Sequence, residues 1–223
     1  MEIKVIENVM AYNKLEADSN REFLKHNNTV MINILSAPGA GKTSLIIETI
    51  KQLRGNFKIG VIEGDIASTH DAEKIKNLIE DVVQINTGGT CHLNASMLAE
   101  AIRQLNAGSL DLLFVENVGN LICPVGFDLG ETRRILLSSV SEGDDKPVKY
   151  PKAFIKTDMV VLNKTDMLPY SEFDMGFFSD SVKKLNPDAQ IIKLSCRTGE
   201  GISEWIHWLN DVMKSGKKPD LKF

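Results

Sequence analysis

Apolar positions along the chain fall into two alternating rhythms. Short β-branched runs at 30–36, 57–63, 82–86, 110–116, 135–140, 158–163 and 190–195 read as strands. Between them, at 43–53, 69–80, 93–106, 171–185 and 203–214, apolar residues recur with the period of a helix. Such alternation predicts an α/β layer fold, a mostly parallel sheet covered by helices on both faces. Sheets of this kind bind ligands beyond the carboxyl ends of their strands, so the loops leaving those ends are where chemistry is expected. Residues 1–29 carry a weaker helical period and are expected to form an N-terminal helical segment packed on the main domain, 30–214. The tail 215–223, with its Lys, Gly and Pro, is expected to be flexible. The polar stretch 141–150, S-E-G-D-D-K-P-V-K-Y, reads as a solvated connection.

Composition narrows the classes. A chain of 223 residues fits one domain of roughly 150 residues with appendages. It is long enough to bury roughly 70–75% of its unfolded surface without disulfides or a structural metal. With 26 Lys plus Arg against 30 Asp plus Glu, a net charge of −4 and no basic run, nucleic acid is not expected as a partner. No apolar run approaches the ~18 residues of a membrane span, so no membrane partner is expected either. The N-terminus, M-E-I-K-V-I-E-N, has no export-signal pattern, which points to the cytoplasm. The three cysteines, Cys91, Cys123 and Cys196, are odd in number and lack C-x-x-C spacing. Neither a disulfide framework nor a zinc ribbon fits, so they are core thiols or they do chemistry.

The stretch 36–43, S-A-P-G-A-G-K-T, follows the first strand and opens a helix. It is a Walker A phosphate loop with Ser36 where the consensus begins with glycine. Gly39 and Gly41 would let successive backbone N–H groups curl around a phosphate, with Pro38, Ala40 and Ser44 of the first helical turn as further expected nucleotide contacts. Lys42 can bridge the β- and γ-phosphates, and the Thr43 hydroxyl can ligate Mg²⁺. Just after the sixth strand comes Asn163-Lys164-Thr165-Asp166, an N-K-x-D motif. A carboxylate at Asp166 accepts from guanine N1–H and the 2-amino group, donors that adenine lacks, so GTP is expected over ATP. Ser195, Cys196 and Arg197 form a second candidate base loop, with Cys196 where GTPases place an alanine.

Two acidic segments close strands at the phosphate edge. Glu116-Asn117-Val118-Gly119 has the form of a D-x-x-G loop with Glu in place of Asp, making the Gly119 N–H the candidate γ-phosphate sensor. Glu63-Gly64-Asp65 places Asp65 where a switch carboxylate is expected. Thr43, Asp65 and Glu116 are the expected magnesium ligands, and Lys42, Asp65, Glu116 and Gly119 the expected catalytic set. The residue after Gly119 is Asn120 rather than a water-orienting glutamine, so intrinsic turnover is expected to be slow. Cys91 and His92 follow the third strand and Cys123 lies four residues beyond Gly119. Two thiols and an imidazole suit Ni²⁺ or Zn²⁺, and three ligands leave the set open, as in a labile site or one completed by a second chain. As core residues, the same cysteines would belong to a GTPase switch whose output is partner binding alone. A P-loop kinase is a third reading, against which N-K-T-D argues.

The stretches T-G-G-T-C-H-L and E-G-D-D-K-P-V-K-Y-P, with S-A-P-G-A-G-K-T, E-G-D, E-N-V-G-N-L-I-C-P and N-K-T-D, resemble the hydrogenase nickel incorporation protein B family. These are GTPases that assist nickel insertion into nickel–iron hydrogenase. The resemblance implies a P-loop NTPase fold of the signal-recognition and MinD-like GTPase class and a homodimer formed when GTP binds. It implies a metal site of Cys91, His92 and Cys123 at the dimer interface, and contact of Lys146 and Lys149 with nucleotide or partner. The implied partners are a hydrogenase large-subunit precursor and a companion nickel/zinc maturation protein. Residues 1–29 hold neither a Cys-rich nickel motif nor a His-rich stretch, which points to delivery of the metal by another protein. The urease accessory G protein, also a nickel GTPase, is the nearest alternative, with C-P-H where this chain has C-H.

Overall fold

The computed structural model describes residues 9–65, 69–105 and 107–215. Residues 1–8 of the expected N-terminal segment, residue 106 of the expected helix 93–106, and 216–223 of the expected flexible tail lie outside the described residues. Among the described residues seven strands form one sheet: β1 (Val30–Ser36), β2 (Ile59–Asp65), β3 (Val82–Asn86), β4 (Leu112–Glu116), β5 (Arg133–Ser139), β6 (Met159–Asn163) and β7 (Gln190–Lys193). The helices are α1 (Val9–His26), α2 (Lys42–Leu53), α3 (His70–Lys76), α4 (Ala95–Gln104), α5 (Lys146–Lys149), α6 (Pro151–Ile155), α7 (Met175–Leu185) and α8 (Ile202–Ser215).

The strand order is β3-β2-β4-β1-β5-β6-β7, and every pairing is parallel. Burial on both faces explains the unbroken apolar runs: every residue of β1, β4, β5 and β6 is buried, whereas the edge strands β3 and β7 are only half covered. Alternate residues of β4 serve opposite faces. Leu112 and Phe114 join the cluster beneath α2 and α8, with Leu45, Ile50 and Leu209, while Leu113 and Val115 join the cluster with Leu98 and Ile102 of α4 and Leu24 of α1. Trp205 of α8 is fully buried, and its Nε1 donates to Thr49 Oγ1 of α2 at 2.8 Å, so its one polar atom is satisfied inside the core. A third cluster, with Leu136, Phe154 and Phe178, fills the space under α6 and α7.

Element boundaries differ from the sequence expectation where capping outweighs hydrophobic period. The second strand starts at Ile59 rather than 57, because Phe57 N–H still bonds Leu53 O at 3.0 Å and closes the end of α2. The helix expected from 93 starts at Ala95, since the Asn94 side chain caps Met97 N–H at 2.9 Å. The helix expected from 171 starts at Met175, capped by Asp174. The stretch 141–150 is not simply a solvated connection: it holds α5, with Pro147 buried, and a proline at the first turn of α6 follows at once. Among the described residues no helix is long and apolar enough to cross a membrane.

Beside β1 the strand order turns back on itself. The chain leaves β1 for β2 and β3 on one side, returns through β4, and then continues on the other side with β5. The carboxyl ends of β1, β2 and β4 therefore open into one crevice, the place where such sheets take ligands.

Candidate functional site

The loop after β1 passes twice through the left-handed region, at Gly39 (φ 78°) and Gly41 (φ 102°). A Cβ at Gly41 would also lie 2.5 Å from Asn163 Nδ2, so the position rejects a side chain on two counts. Pro38 and Gly39 face solvent over the cleft, the Ala40 methyl is in the core, and α2 starts at Lys42 with Thr43 and Ser44 in its first turn. The first N–H groups of α2 thus point into the loop with the positive end of the helix dipole. Lys42 is only 9% exposed, and its ammonium donates to Ser36 Oγ at 3.0 Å. The serine that departs from the consensus glycine therefore holds the lysine beneath the loop.

The cleft beside this loop measures about 270 Å³ and is lined by Lys42, Glu63, Asp65, Asp71, Glu116 and Gly119, among others. Glu63 and Glu116 are register partners on β2 and β4. Thr43 Oγ1 donates to Glu116 Oε1 at 3.0 Å, while the second oxygens of Glu63 and Glu116 are buried with no hydrogen-bond partner among the described residues. Burial, then the charges of Glu116, Asp65 and Asp71, push the Glu63 carboxyl up to about 8. Burial likewise pushes Glu116 up to about 7, against the opposing pull of the Lys42 ammonium and the Thr43 hydroxyl. Burial also pushes on Asp71, yet Lys74, Thr43 and His70 together hold it below its ordinary value. At Gly119 a Cβ would come 3.1 Å from Pro38 Cα, so glycine lets the loop after β4 lie directly against the phosphate loop.

These carboxyls make stability depend on pH. Between their ordinary value of 4.5 and about 7 to 8, the folded chain keeps protons that the unfolded chain releases. Their contribution is therefore fully present below about pH 4.5 and is lost as pH rises through 8. Without nucleotide or divalent cation, the urea midpoint is expected to fall from pH 5.5 to pH 8.5, and less steeply in Glu63→Gln. A slope identical in the two chains would show that Glu63 is not the group responsible.

On the other side of the phosphate loop, Asn163 acts as a brace. Its Nδ2 donates to Ala40 O at 2.9 Å, and its Oδ1 accepts from Lys164 N at 2.8 Å and Cys196 N at 3.2 Å. Lys164, in the left-handed region at φ 61°, stretches over the loop and donates to Gly39 O at 2.7 Å. Asp166 accepts from Ser195 Oγ at 2.6 Å, and the exposed Arg197 guanidinium stands 3.8 Å from its other oxygen. Burial pushes the Cys196 thiol up to about 12, so it is an inert wall of this loop.

The loops after β3 and β4 bring the half-buried Cys91 thiol beside Cys123, and that neighbour, then burial, holds Cys91 above its ordinary value. His92 Nδ1 lies 3.8 Å from Cys91 Sγ, but its ring stacks on Phe127 at 3.9 Å, and burial pulls its pKa down. Among the described residues no three His, Cys, Asp or Glu side chains are gathered so as to hold a metal ion. The three-ligand set is therefore not assembled within one chain; the thiol pair is. Lys146 lies over the Tyr150 ring at 5.4 Å and Lys149 pairs with Asp145 at 2.5 Å, each engaged within its own segment. The sequence reading omits two carboxylates of the cleft. Glu63 was legible as the partner of Asp65 in E-G-D, whereas nothing marked Asp71, an acid in an amphipathic helix, before α3 was seen to face Thr43.

A family model described as CobW/HypB/UreG, nucleotide-binding domain, matches residues 30–193. The hydrogenase maturation factor HypB of Rhizobium leguminosarum bv. viciae is 42% identical over 207 residues, covering 93% of this chain and 69% of that protein. Among solved structures, HypB from Archaeoglobus fulgidus is 41% identical with a TM-score of 0.86, covering 92% of this chain and all of that one. HypB from Helicobacter pylori in complex with nickel is 32% identical with a TM-score of 0.90, covering 95% and 100%. The signal recognition particle receptor FtsY from Elizabethkingia anophelis, 14% identical with a TM-score of 0.55, shares the fold alone. The expected P-loop class is thus the observed one, and by its domain match and these identities the chain belongs to the hydrogenase maturation factor HypB family of the CobW/HypB/UreG nucleotide-binding proteins.

Proposed function

We propose that this chain is a cytoplasmic GTP-hydrolysing metallochaperone that assists nickel insertion into nickel–iron hydrogenase. The carrying observation is one of placement: the Cys91–Cys123 thiol pair sits on the loops leaving β3 and β4, and the cleft that would take the phosphates lies at the ends of β2 and β4. A loop that moves with nucleotide state then moves a metal ligand.

In this reading Lys42 and the α2 N-terminus hold the β- and γ-phosphates, and Asp166 with the Ser195–Arg197 loop reads guanine. Two buried carboxylate oxygens without partners among the described residues, beside the Thr43 hydroxyl, fit a hard divalent cation. Thr43, Asp65 and Glu116, with Glu63 behind them, would hold Mg²⁺, which when bound supplies charge neutralisation across the β- and γ-phosphates. Gly119 N–H senses the γ-phosphate. Asn120, in the place of a water-orienting glutamine, leaves turnover slow. Nickel, or zinc in competition with it, is the cargo. Two thiols per chain become four across a two-fold axis, with His92 available as a neutral imidazole. Lys146 and Lys149 would exchange their contacts with Tyr150 and Asp145 for the nucleotide or the second chain. The partners are the hydrogenase large-subunit precursor and a companion maturation protein that delivers nickel. Domain 30–214 carries the chemistry, with 1–29 and 215–223 flanking it.

Sedimentation of the full chain tests this with GDP and with a non-hydrolysable GTP analogue, each with and without nickel. A monomer with GDP and a dimer with the analogue are expected, the dimer tightened by nickel. A Cys91→Ala/Cys123→Ala chain is expected to lose the nickel response alone. A monomer under all four conditions contradicts the reading.

A further inference from the structure

The phosphate cleft and the thiol pair are joined by one buried side chain. Asn117 follows Glu116 directly, precedes Gly119 by two residues and is 1% exposed. Its Oδ1 accepts from Leu93 N at 3.3 Å and Val118 N at 3.0 Å, and its Nδ2 donates to Asn33 Oδ1 at 3.3 Å. Leu93 is two residues from Cys91, so this amide ties the glycine loop of the cleft to the loop that carries the first thiol. A second tie lies on the outer side of Gly119, where Asn120 Nδ2 donates to the Cys91 carbonyl at 3.5 Å.

Beneath Asn117 the hydrogen bonds run into a fixed floor. Asn33, fully buried in β1, donates from Nδ2 to Glu131 Oε1 at 3.4 Å. Glu131 accepts from Leu129 N at 2.8 Å and from Arg134 Nε at 2.8 Å, and the Arg134 guanidinium also donates to the carbonyls of Val125 at 3.1 Å and Phe127 at 2.9 Å. Val125 and Phe127 lie just past Cys123, and the Phe127 ring stacks on His92. α1 fixes the same floor from behind: Asn20 Nδ2 donates to Leu129 O at 3.2 Å and to Ala95 O at 2.9 Å, at the start of α4. The links to Leu93, Asn33 and Cys91, at 3.3, 3.3 and 3.5 Å, are longer than the normal range, whereas the Arg134–Glu131 pair is short and dry. The anchor is thus the tighter end of the chain, and a buried Asn117 that lost Leu93 would have to find a new partner.

We propose that Asn117 is the positioning residue that converts γ-phosphate occupancy at Gly119 into a change in the spacing of the Cys91 and Cys123 thiols, with Asn33, Glu131 and Arg134 as its fixed anchor. The inference rests on the metallochaperone reading above and adds to it the residues through which the two sites communicate. Drawing Gly119 toward a phosphate shifts Asn117, which releases or re-aims Leu93 and with it Cys91, while Cys123 stays anchored through Arg134. Asn120 is the accessory tie.

The test uses the full chain and nickel alone as the probe, titrated at the thiolate-to-nickel charge-transfer absorption with GDP and with a non-hydrolysable GTP analogue at one pH. The parent is expected to show nickel affinities that differ at least ~5-fold between the two nucleotides. In Asn117→Ala that ratio is expected to collapse below ~2-fold. A purely structural role would shift both affinities together and leave the ratio alone. Asn120→Ala, which removes only a half-buried side chain, is expected to lower the ratio to about half the parent's; it decides the matter if Asn117→Ala does not fold. A parent ratio retained in the folded variants overturns the relay but leaves the metallochaperone reading standing. A parent ratio of one overturns both.

Discussion

Lys42→Ala is expected to hydrolyse GTP at least ~100-fold more slowly than the parent at saturating nucleotide and Mg²⁺, while remaining folded. The lysine is nearly buried, held by Ser36 Oγ, and is the cation that opposes the upward push of burial on both Glu63 and Glu116. Removing it takes positive charge away from the developing γ-phosphate and leaves Mg²⁺ alone to offset the cleft carboxyls that face polyphosphate. The rate loss at saturation is lost stabilisation of the transition state, and like-charge repulsion in the ground state separately lowers nucleotide affinity. Phosphate-release kinetics measure it. A loss smaller than about tenfold would place the phosphates elsewhere than over Lys42.

Asp166→Asn is expected to weaken GTP binding by about 10³-fold and to move preference toward a xanthine nucleotide. A carboxylate presents acceptors to the N1–H and 2-amino donors of guanine, whereas an amide presents one acceptor and one donor, so a donor then meets a donor. Xanthine has a carbonyl where guanine has the amino group and accepts from that amide. The Ser195 hydroxyl, 2.6 Å from Asp166, bonds either side chain, and the exposed Arg197 at 3.8 Å contributes little, so the change is local. Competition between GTP and its xanthine counterpart reads the outcome. Unchanged GTP affinity would remove Asp166 from the base site and reopen the kinase alternative.

The parts legible in the sequence are those set by contiguous residues. S-A-P-G-A-G-K-T announces Gly39, Gly41 and Lys42 because the turn, the close approach to Asn163 and the helix start are local demands of eight adjacent positions. The seven strands were visible because a parallel sheet buried on both faces writes itself as unbroken apolar runs. Their order was not, since hydrophobic period says nothing about which buried strand lies beside which, and the pairing of Glu63 with Glu116 exists only through β2 and β4 being neighbours. Cap positions shifted helix starts because a single side-chain bond, such as Asn94 to Met97 N–H, outweighs the apolar period of the residues around it. His92 shows another limit: its stacking on Phe127, a partner 35 residues away, could not be read from its adjacency to Cys91. The anchor of Asn33, Glu131 and Arg134 was equally hidden, as polar residues in two strands and the loop before β5 acquire meaning only once they meet in the interior.

The central claim is that nucleotide state and nickel binding are one coupled equilibrium. Linkage then requires that exchanging GDP for a GTP analogue change nickel affinity by the same factor by which nickel changes the preference between those nucleotides. Equilibrium dialysis of nickel against the full chain, loaded with GDP or with a non-hydrolysable GTP analogue at a single pH, measures that factor directly. The account predicts affinities that differ at least ~5-fold and become equal in Cys91→Ala/Cys123→Ala. Equal affinities in the parent chain would contradict it.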